Sequence, residues 1–487
     1  MAILPKFMQR AFGYDVVSDS GNRRRDPLNA LRTEDAELDR QKRQKLLAIE
    51  RDALRNFSVC RWAMGKHLDF VSTFSFASQT KTSFDNAFQA RMEKWMNEKD
   101  LCDITGRHTF PRMLRMAEAR AAGDGDHLLL MLEGNRLQQI ESDRIRTYRD
   151  MPGDNRRVVH GCVQNDFGRN IAYQVHRRGQ NGSGFQFQQE VDARHCLFHA
   201  YYPSERADQT RGVGLITSGL ADFIDAYEWT GMAKAVEKVR AAFGVIFKGS
   251  DPNGHGTYTP LGNGKYDVEM GRGPFQLEME GSDTIEFLSN DTPGGNTVAF
   301  FNACIGFGLK SLDIPLCFFD ETLTNFFGQR AQFILYLKSC MQKRENLRAN
   351  ILNPLTKRLA RSWVADGSLI LPPNGSIENL PFRWHPAGTP YWNPIQEVTA
   401  QLMAIRGGLD DYENVYLETT GRDWFAMIDR LAEQQAYIRD KKVILDEALA
   451  PVMAAMLLQD NKDNPLGGLP NAPDNAVPDT QKRGNAA

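Results

Sequence analysis

Apolar residues recur at helical spacing over much of the chain. From Ser83 to about Ala122, Phe84, Phe88 and Met92 fall four apart and Trp95 three further on, the stripe of amphipathic helix. A second stretch, Leu215 to Phe247, carries Leu220, Phe223, Ile224 and Tyr227, then Val236, Val239, Phe243 and Ile246. Its acids (Asp222, Asp225, Glu228) come early and its bases (Lys234, Lys238, Arg240, Lys248) late, an order that suits the helix dipole. Such a helix, about 48 Å long at about 1.5 Å per residue, needs a long partner to cover its stripe. The partner is predicted from Asn296 or Thr297, with Phe300, Phe301, Ile305, Leu309 and Leu312, stopping before Pro315. A third long helix runs from Arg330 to about Ala365, where Pro354 predicts a kink. Two or three more span Asn393 to Leu458. Near the start, Thr33-Glu34-Asp35 offers an N-cap for a helix through Leu54.

Period-two patterning marks the strands. Leu128 to Leu132 reads as a buried strand; His160 to Arg177 and Phe185 to Tyr202 read as strands rich in Val, Phe and Tyr. Residues 249–295 are about a fifth glycine and alternate at Phe275–Glu280 and Ile285–Phe287, which predicts a small turn-rich β module between two helices. Leu316 to Gln329 is a loop with four Phe (318, 319, 326, 327) among polar residues. The fold class is therefore α+β. An arm (residues 1–45) and a proline-rich tail (459–487), predicted disordered, flank the folded part.

The composition changes the picture in one respect. Lys+Arg total 59 and Asp+Glu 61, a net charge of −2 over 487 residues, which excludes a surface that grips nucleic acid all over. The charge is uneven, however. Arg330 to Asp366 holds eight basic residues, among them Arg330, Lys338, Lys343, Arg344 and Arg348, against Glu345 and Asp366. These five are candidate phosphate contacts. The seven cysteines are scattered with no CxxC pair, which fits a reducing compartment. No apolar leader follows Met1, and the most apolar run, Val298 to Phe319, is broken by Asn302, Lys310, Asp313 and Pro315, so no membrane partner is expected.

Catalytic patterns are weak. His195-Cys-Leu-Phe-His199 has zinc-helix spacing but lacks the Glu after the first His, and it reads as a strand that places Cys196 opposite both histidines. Asp320-Glu321 and Asp410-Asp411 are adjacent carboxylates without converging partners, and Asp410-Asp411 fits a helix start after Gly407-Gly408. Asn290 to Asn296 is a turn and cap. No phosphate loop, dinucleotide fingerprint or nucleophile elbow is present, so no cofactor, metal or enzymatic activity is expected. A metal-dependent enzyme acting on nucleic acid, using Asp320, Glu321 and the basic helix, is the alternative reading.

The order of parts and several residue series resemble the lambda-like family of bacteriophage portal proteins over about residues 46–447. Trp95, Cys102-Asp103, Gly106-Arg107 and Phe110 look like one family segment. Asp143-Arg144-Ile145 and Ala172-Tyr173 look like two family strands, and His199-Ala-Tyr201 with Arg211-Gly212 looks like the lead-in to the family's stem. Leu312-Asp-Ile314-Pro315 with Asp320, Asn325, Phe326 and Arg330 is similar to its LGIP, D, NY, R series, although Phe327-Gly328 stands where the family has Ser-Ser. Asn393-Pro394, Glu397, Ala400, Gly408, Gly421, Asp423 and Glu433 are similar to a later stretch, with Gln396 in place of Lys.

The resemblance implies a portal fold with a wing (46–210), stem helices (211–248 and 296–315), a clip (249–295), a tunnel loop (316–329), and a kinked wing helix with crown (330–458). It implies a homo-oligomeric ring, usually of twelve subunits, at a capsid vertex of the virion. Double-stranded DNA would pass through it without sequence preference. Terminase, then head–tail connectors, and the major capsid or scaffold protein would be its partners. Glu321, Thr324, Asn325, Phe326, Phe327 and Gln329 are the candidate channel residues.

Overall fold

Asp39 opens the first long helix. Its carboxylate accepts from the Gln41 N–H (2.9 Å) and the Lys42 N–H (3.0 Å), two donors that a helix start leaves unpaired. Helix α2 (Arg40–Asn56) therefore begins afresh after a single turn, α1 (Glu34–Glu37), and the arm boundary expected at residue 45 falls inside it. The computed structural model describes residues 32–80, 82–148, 157–179, 184–242, 245–248, 259–261, 265–267, 284–287, 295–320, 322, 325–372, 375–389, 391 and 393–440. The predicted tail, most of the arm, Phe275–Glu280 and most of Asn290–Asn296 lie outside these residues.

After α3 (Ser58–Val71) and β1 (Phe74–Ser78), the helical stretch expected from Ser83 to Ala122 is split into α4 (Phe84–Asn97), α5 (Lys99–Cys102) and α6 (Phe110–Asp124). The break is built by Asp103. Its carboxylate accepts from the Thr105, Arg107 and His108 N–H groups, and Gly106 takes a left-handed φ of 62°. Cys102 and Phe110 on either side are buried, so the Cys-Asp-Gly-Phe series is one capped, anchored turn.

Strand β2 (Asp126–Met131) is buried along its whole length and pairs antiparallel with β3 (Leu137–Glu141) and later with β8 (Cys196–Ala200). Ser142–Arg144 is a 3-10 turn rather than the expected strand, because the chain leaves the sheet at Glu141. A second antiparallel sheet runs β4 (Arg157–Val159), β5 (Cys162–Gln164), β6 (Asn170–Arg178), β7 (Phe185–Asp192).

The chain then enters α7 (Leu220–Ala242) through a 3-10 turn, Leu215–Gly219. The helix is shorter than its periodicity suggested. Val245–Lys248 is a strand, β9, and after β10 (Thr259–Leu261) and β11 (Lys265–Asp267), which pair with each other, β12 (Thr284–Phe287) returns antiparallel to β9. Val245, Ile246 and Phe247 suit a strand as well as a helix, and pairing with Ile285 and Phe287 decides between them.

Helix α8 (Gly295–Lys310) runs back to the body. Helix α9 (Phe326–Leu347) passes into a π turn, Arg348–Leu352, and then α10 (Asn353–Ala365). The kink expected at Pro354 is thus relieved upstream. A proline has no N–H for the carbonyl four residues back, and the wider turn absorbs that missing bond. Strand β13 (Phe382–Pro386) pairs with β1, and α11 (Pro394–Arg406), α12 (Tyr412–Thr420) and α13 (Trp424–Asp440) follow.

A buried ionic hub joins these parts. Asp126, at the start of β2, accepts from Arg211 Nε and Nη2 (both 2.7 Å), Arg43 Nη2 (2.8 Å) and the Gly212 N–H (3.1 Å). Arg211, only 1% exposed, also donates to the Ile145 (3.0 Å), His160 (2.8 Å) and Ser142 (3.0 Å) carbonyls. Beside the hub the backbones touch. A Cβ on Gly212 would lie 2.0 Å from the Gly125 carbonyl oxygen, and one on Gly214 would lie 2.0 Å from that of Gly123.

Burial would raise the Asp126 pKa, but Arg211 and Arg43 outweigh it and hold the carboxyl below the usual carboxylate range. The folded-state value is therefore lower than that of the unfolded chain. Its stabilisation is complete above about pH 4 and is lost as the pH falls below that. We predict that Asp126→Asn, which leaves two buried guanidiniums uncompensated, lowers stability by about 3–5 kcal/mol. This would be seen as a lower urea midpoint at neutral pH, in a gap that narrows on acidification.

Candidate functional site

The site is assembled where α7 and α8 meet the body. Leu220, Phe223 and Ala226 of α7 and Cys304, Ile305 and Leu309 of α8 bury themselves with Leu312, Ile314, and Tyr336 and Cys340 of α9. The two helix ends approach closely because of glycine. A Cβ on Gly219 would lie 2.6 Å from the Gly308 carbonyl oxygen, and the Phe223 ring lies over Gly308. Farther out the pair is different. Tyr227, Met232 and Val236 on α7, and Val298, Phe300 and Phe307 on α8, are exposed. An apolar stripe that one chain leaves uncovered is a surface for association.

The turn after α8 is held by charge. Asp313 adopts a left-handed φ of 62°, where a glycine is unstrained and an aspartate is tolerated. Its carboxylate accepts from Ser339 Oγ (2.7 Å) and Lys343 Nζ (2.8 Å), and Lys343 also donates to the Leu312 carbonyl (3.0 Å). Leu312 and Ile314 are thereby turned inward.

The four phenylalanines of the next stretch divide. Phe318, in a 3-10 turn (Leu316–Phe318), packs on Phe70 and Tyr336, and Phe319 packs on Trp62. Asn325 is the N-cap of α9, its side-chain oxygen accepting from the Gly328 N–H (2.8 Å). Phe326, Phe327 and Gln329 therefore lie in the first turn of α9, not in a loop, and Phe327 is 78% exposed. Glu321 and Thr324 lie outside the described residues. Asp320 is engaged locally, accepting from Thr322 Oγ1 (2.6 Å) and its N–H (3.0 Å).

The basic helix is less available than its sequence suggested. Lys343 is buried on Asp313, and Arg344 is buried with its Nε on the Phe70 carbonyl (2.7 Å). These two are corrected from phosphate contacts to structural ties, because their heads face the body. Arg330 pairs with Glu397 of α11 (2.9 Å) and Arg348 with Glu345 (2.9 Å). Lys338 is exposed. Between these charges α9 also exposes Ile334, Leu335 and Met341. Helices α11, α12 and α13 have no buried residue, while Ile395 is 81% and Leu409 87% exposed.

The remaining candidates separate. His195 lies in a 3-10 turn before β8, whereas His199 is buried in the strand. His199 Nε2 lies 2.8 Å from Glu118, which also meets His67 Nε2 (2.6 Å) and accepts from Tyr201 Oη (2.7 Å). Burial opposes the charge on Glu118, but the hydrogen bonds from His199 and His67 prevail and hold its carboxyl well below the carboxylate range. This closed cluster, missed from the sequence, fixes α3, α6 and β8 to one another; the His-Ala-Tyr series was its only visible trace. Asp411 caps α12 through the Asn414 N–H (2.8 Å), as its position after two glycines suggested. Among the described residues no group of three His, Cys, Asp or Glu is placed to hold a metal ion, and no helix is long and apolar enough to cross a membrane.

A family model described as phage portal protein, lambda family, matches residues 21–315. No curated protein matches. Among solved structures, a chain of the neck of an empty GTA particle is 12% identical with a TM-score of 0.44, covering 77% of this chain and 93% of that one. An HK97 family phage portal protein from Corynebacterium diphtheriae is 12% identical with a TM-score of 0.34, covering 62% and 91%.

We predict that Gly308→Val, whose Cβ would sit 2.8 Å from the Phe223 ring, splays the base of α7 and α8 and costs about 1–3 kcal/mol. Urea denaturation of the variant beside the parent measures it.

Proposed function

The chain belongs to the lambda family of phage portal proteins, and from that premise we propose how its parts serve at the capsid vertex. The protein is the portal. It forms a closed homo-oligomeric ring of twelve subunits through which double-stranded DNA is packaged and ejected. The single observation that carries the ring is the exposed apolar surface. It lies on α7 and α8, along α9 and on all three of α11–α13, the kind of surface that marks association. Faces of different composition on one chain meet head to tail, which gives a heterologous contact that closes by rotation.

In this reading α7 and α8 are the stem, the β9–β12 region is the clip, residues 46–210 are the wing, and α11–α13 form the crown. The segment from Glu321 to Gln329, Thr324 included, lines the channel, with Asn325 at the cap and Phe326, Phe327 and Gln329 in the first turn of α9. Such a lining suits a conduit. Phosphate contacts give affinity and salt dependence, so a dense row of arginines would hold DNA still. Aromatic and amide groups touch it without locking it. Lys338, with Arg330 and Arg348 partly engaged, would supply a thin positive field. The clip is the docking place for terminase and then for head–tail connectors, while the wing faces the major capsid or scaffold protein. Assembly takes place in the host cytoplasm.

Negative-stain microscopy and native mass measurement of the purified full chain test this. A particle of about twelve subunits with a central hole is expected. A monomer that persists at micromolar concentration across salt conditions would overturn the ring.

A further inference from the structure

A groove of about 870 Å³ opens between α2, α3, α6 and the edge strand β3, away from the stem and the channel segment. That is the size of an ordinary ligand site, about 300–1,000 Å³. Its lining is unusual for a chain of net charge −2, since seven arginines face it against one carboxylate, Glu141.

Part of this charge is already engaged. Arg178 is held by Glu141 and Asp143, Arg115 by Asp69 (2.8 Å), and Arg144 by the His176 carbonyl (2.8 Å). Among the described residues, the exposed side chains of Arg61 and Arg112 meet no ion-pair or hydrogen-bond partner, and Arg177 meets only the Gln186 amide at 3.4 Å. Three guanidiniums therefore stand around the groove without a carboxylate. Its floor is apolar, built by Leu54, Met64, Leu68, Met116 and Ala119.

His127 of β2 lies beneath the groove and is 1% exposed. Burial lowers its pKa to about 3, so the ring is neutral and the charge of the groove comes from its arginines alone.

We propose that this groove docks a segment of another protein in which acidic and apolar residues alternate. Carboxylates reach Arg61, Arg112 and Arg177 in the forked geometry that guanidinium favours, and apolar side chains cover the floor. Duplex DNA fits less well. Its backbone offers phosphates alone and would leave the apolar floor uncovered.

The test uses the assembled full-length protein and a short fluorescein-labelled peptide of alternating Asp, Leu and Glu, followed by fluorescence anisotropy at low salt. Saturable binding is expected, weakened about tenfold or more by Arg61→Glu combined with Arg112→Glu and by Arg177→Glu. These side chains are exposed, so the urea midpoint of each variant should match the parent's. Unchanged affinity in the charge-reversed variants would overturn the proposal. So would equal binding of a peptide with Ser in place of Leu, or a DNA duplex that displaces the peptide at lower concentration.

Discussion

The fold depends on one buried carboxylate. Asp126 sits where the β2 sheet begins, and the chain passes from that sheet to α7 by running Arg211–Gly214 across it. That run is neither helix nor strand, so its backbone and the Arg211 guanidinium must find partners inside the protein. They find them on Asp126, on three carbonyls of two different turns and on Arg43 of α2. A buried ion trio of this kind is a poor source of net stability compared with apolar packing. Its value is positional, since it ties the crossing to β2, to α2 and to two turns at once. The glycines at 125, 212 and 214 belong to the same constraint, because a Cβ on any of them would run into the opposing backbone.

From that crossing, order is built outward. The base of α7 and α8 is fixed by Phe223 on Gly308 and by the Asp313–Lys343 tie, which joins the end of α8 to the later turns of α9. Helix α9 continues through the π turn into α10, whose Leu355, Leu359 and Trp363 enter the core shared with α4, α6 and β13. The first turn of α9 is thus the near end of a rod whose far end is anchored in that core.

Periodicity made the long helices and the buried β2 legible, and turn chemistry made the start of α12 legible. What stayed hidden has definite physical causes. The end of α7 was obscured because Val245–Phe247 satisfies both periods, and pairing with residues nearly forty positions away decides. The positive charge of α9 looked available because sequence does not tell a solvated lysine from one turned onto a local carboxylate, as Lys343 is. Phe318 and Phe319 share one predicted loop with Phe326 and Phe327, yet Phe70, Tyr336 and Trp62 claim the first two. The Glu118 cluster joins residues 67, 118, 199 and 201, and only their buried convergence reveals it. The family series succeeded where single motifs did not, because each marks a turn or crossing with its own geometric requirement, such as the Asp103 turn.

Helices α11–α13 contain no fully buried residue within one chain. A substitution of an exposed side chain there, such as Ile395, therefore changes the stability of an isolated subunit by about 0.5 kcal/mol or less. In a closed ring the same change would recur at every junction, so its effect on the assembly would be multiplied by the number of subunits. Variation at such exposed positions would then be filtered by the assembly more than by the folding of a single chain.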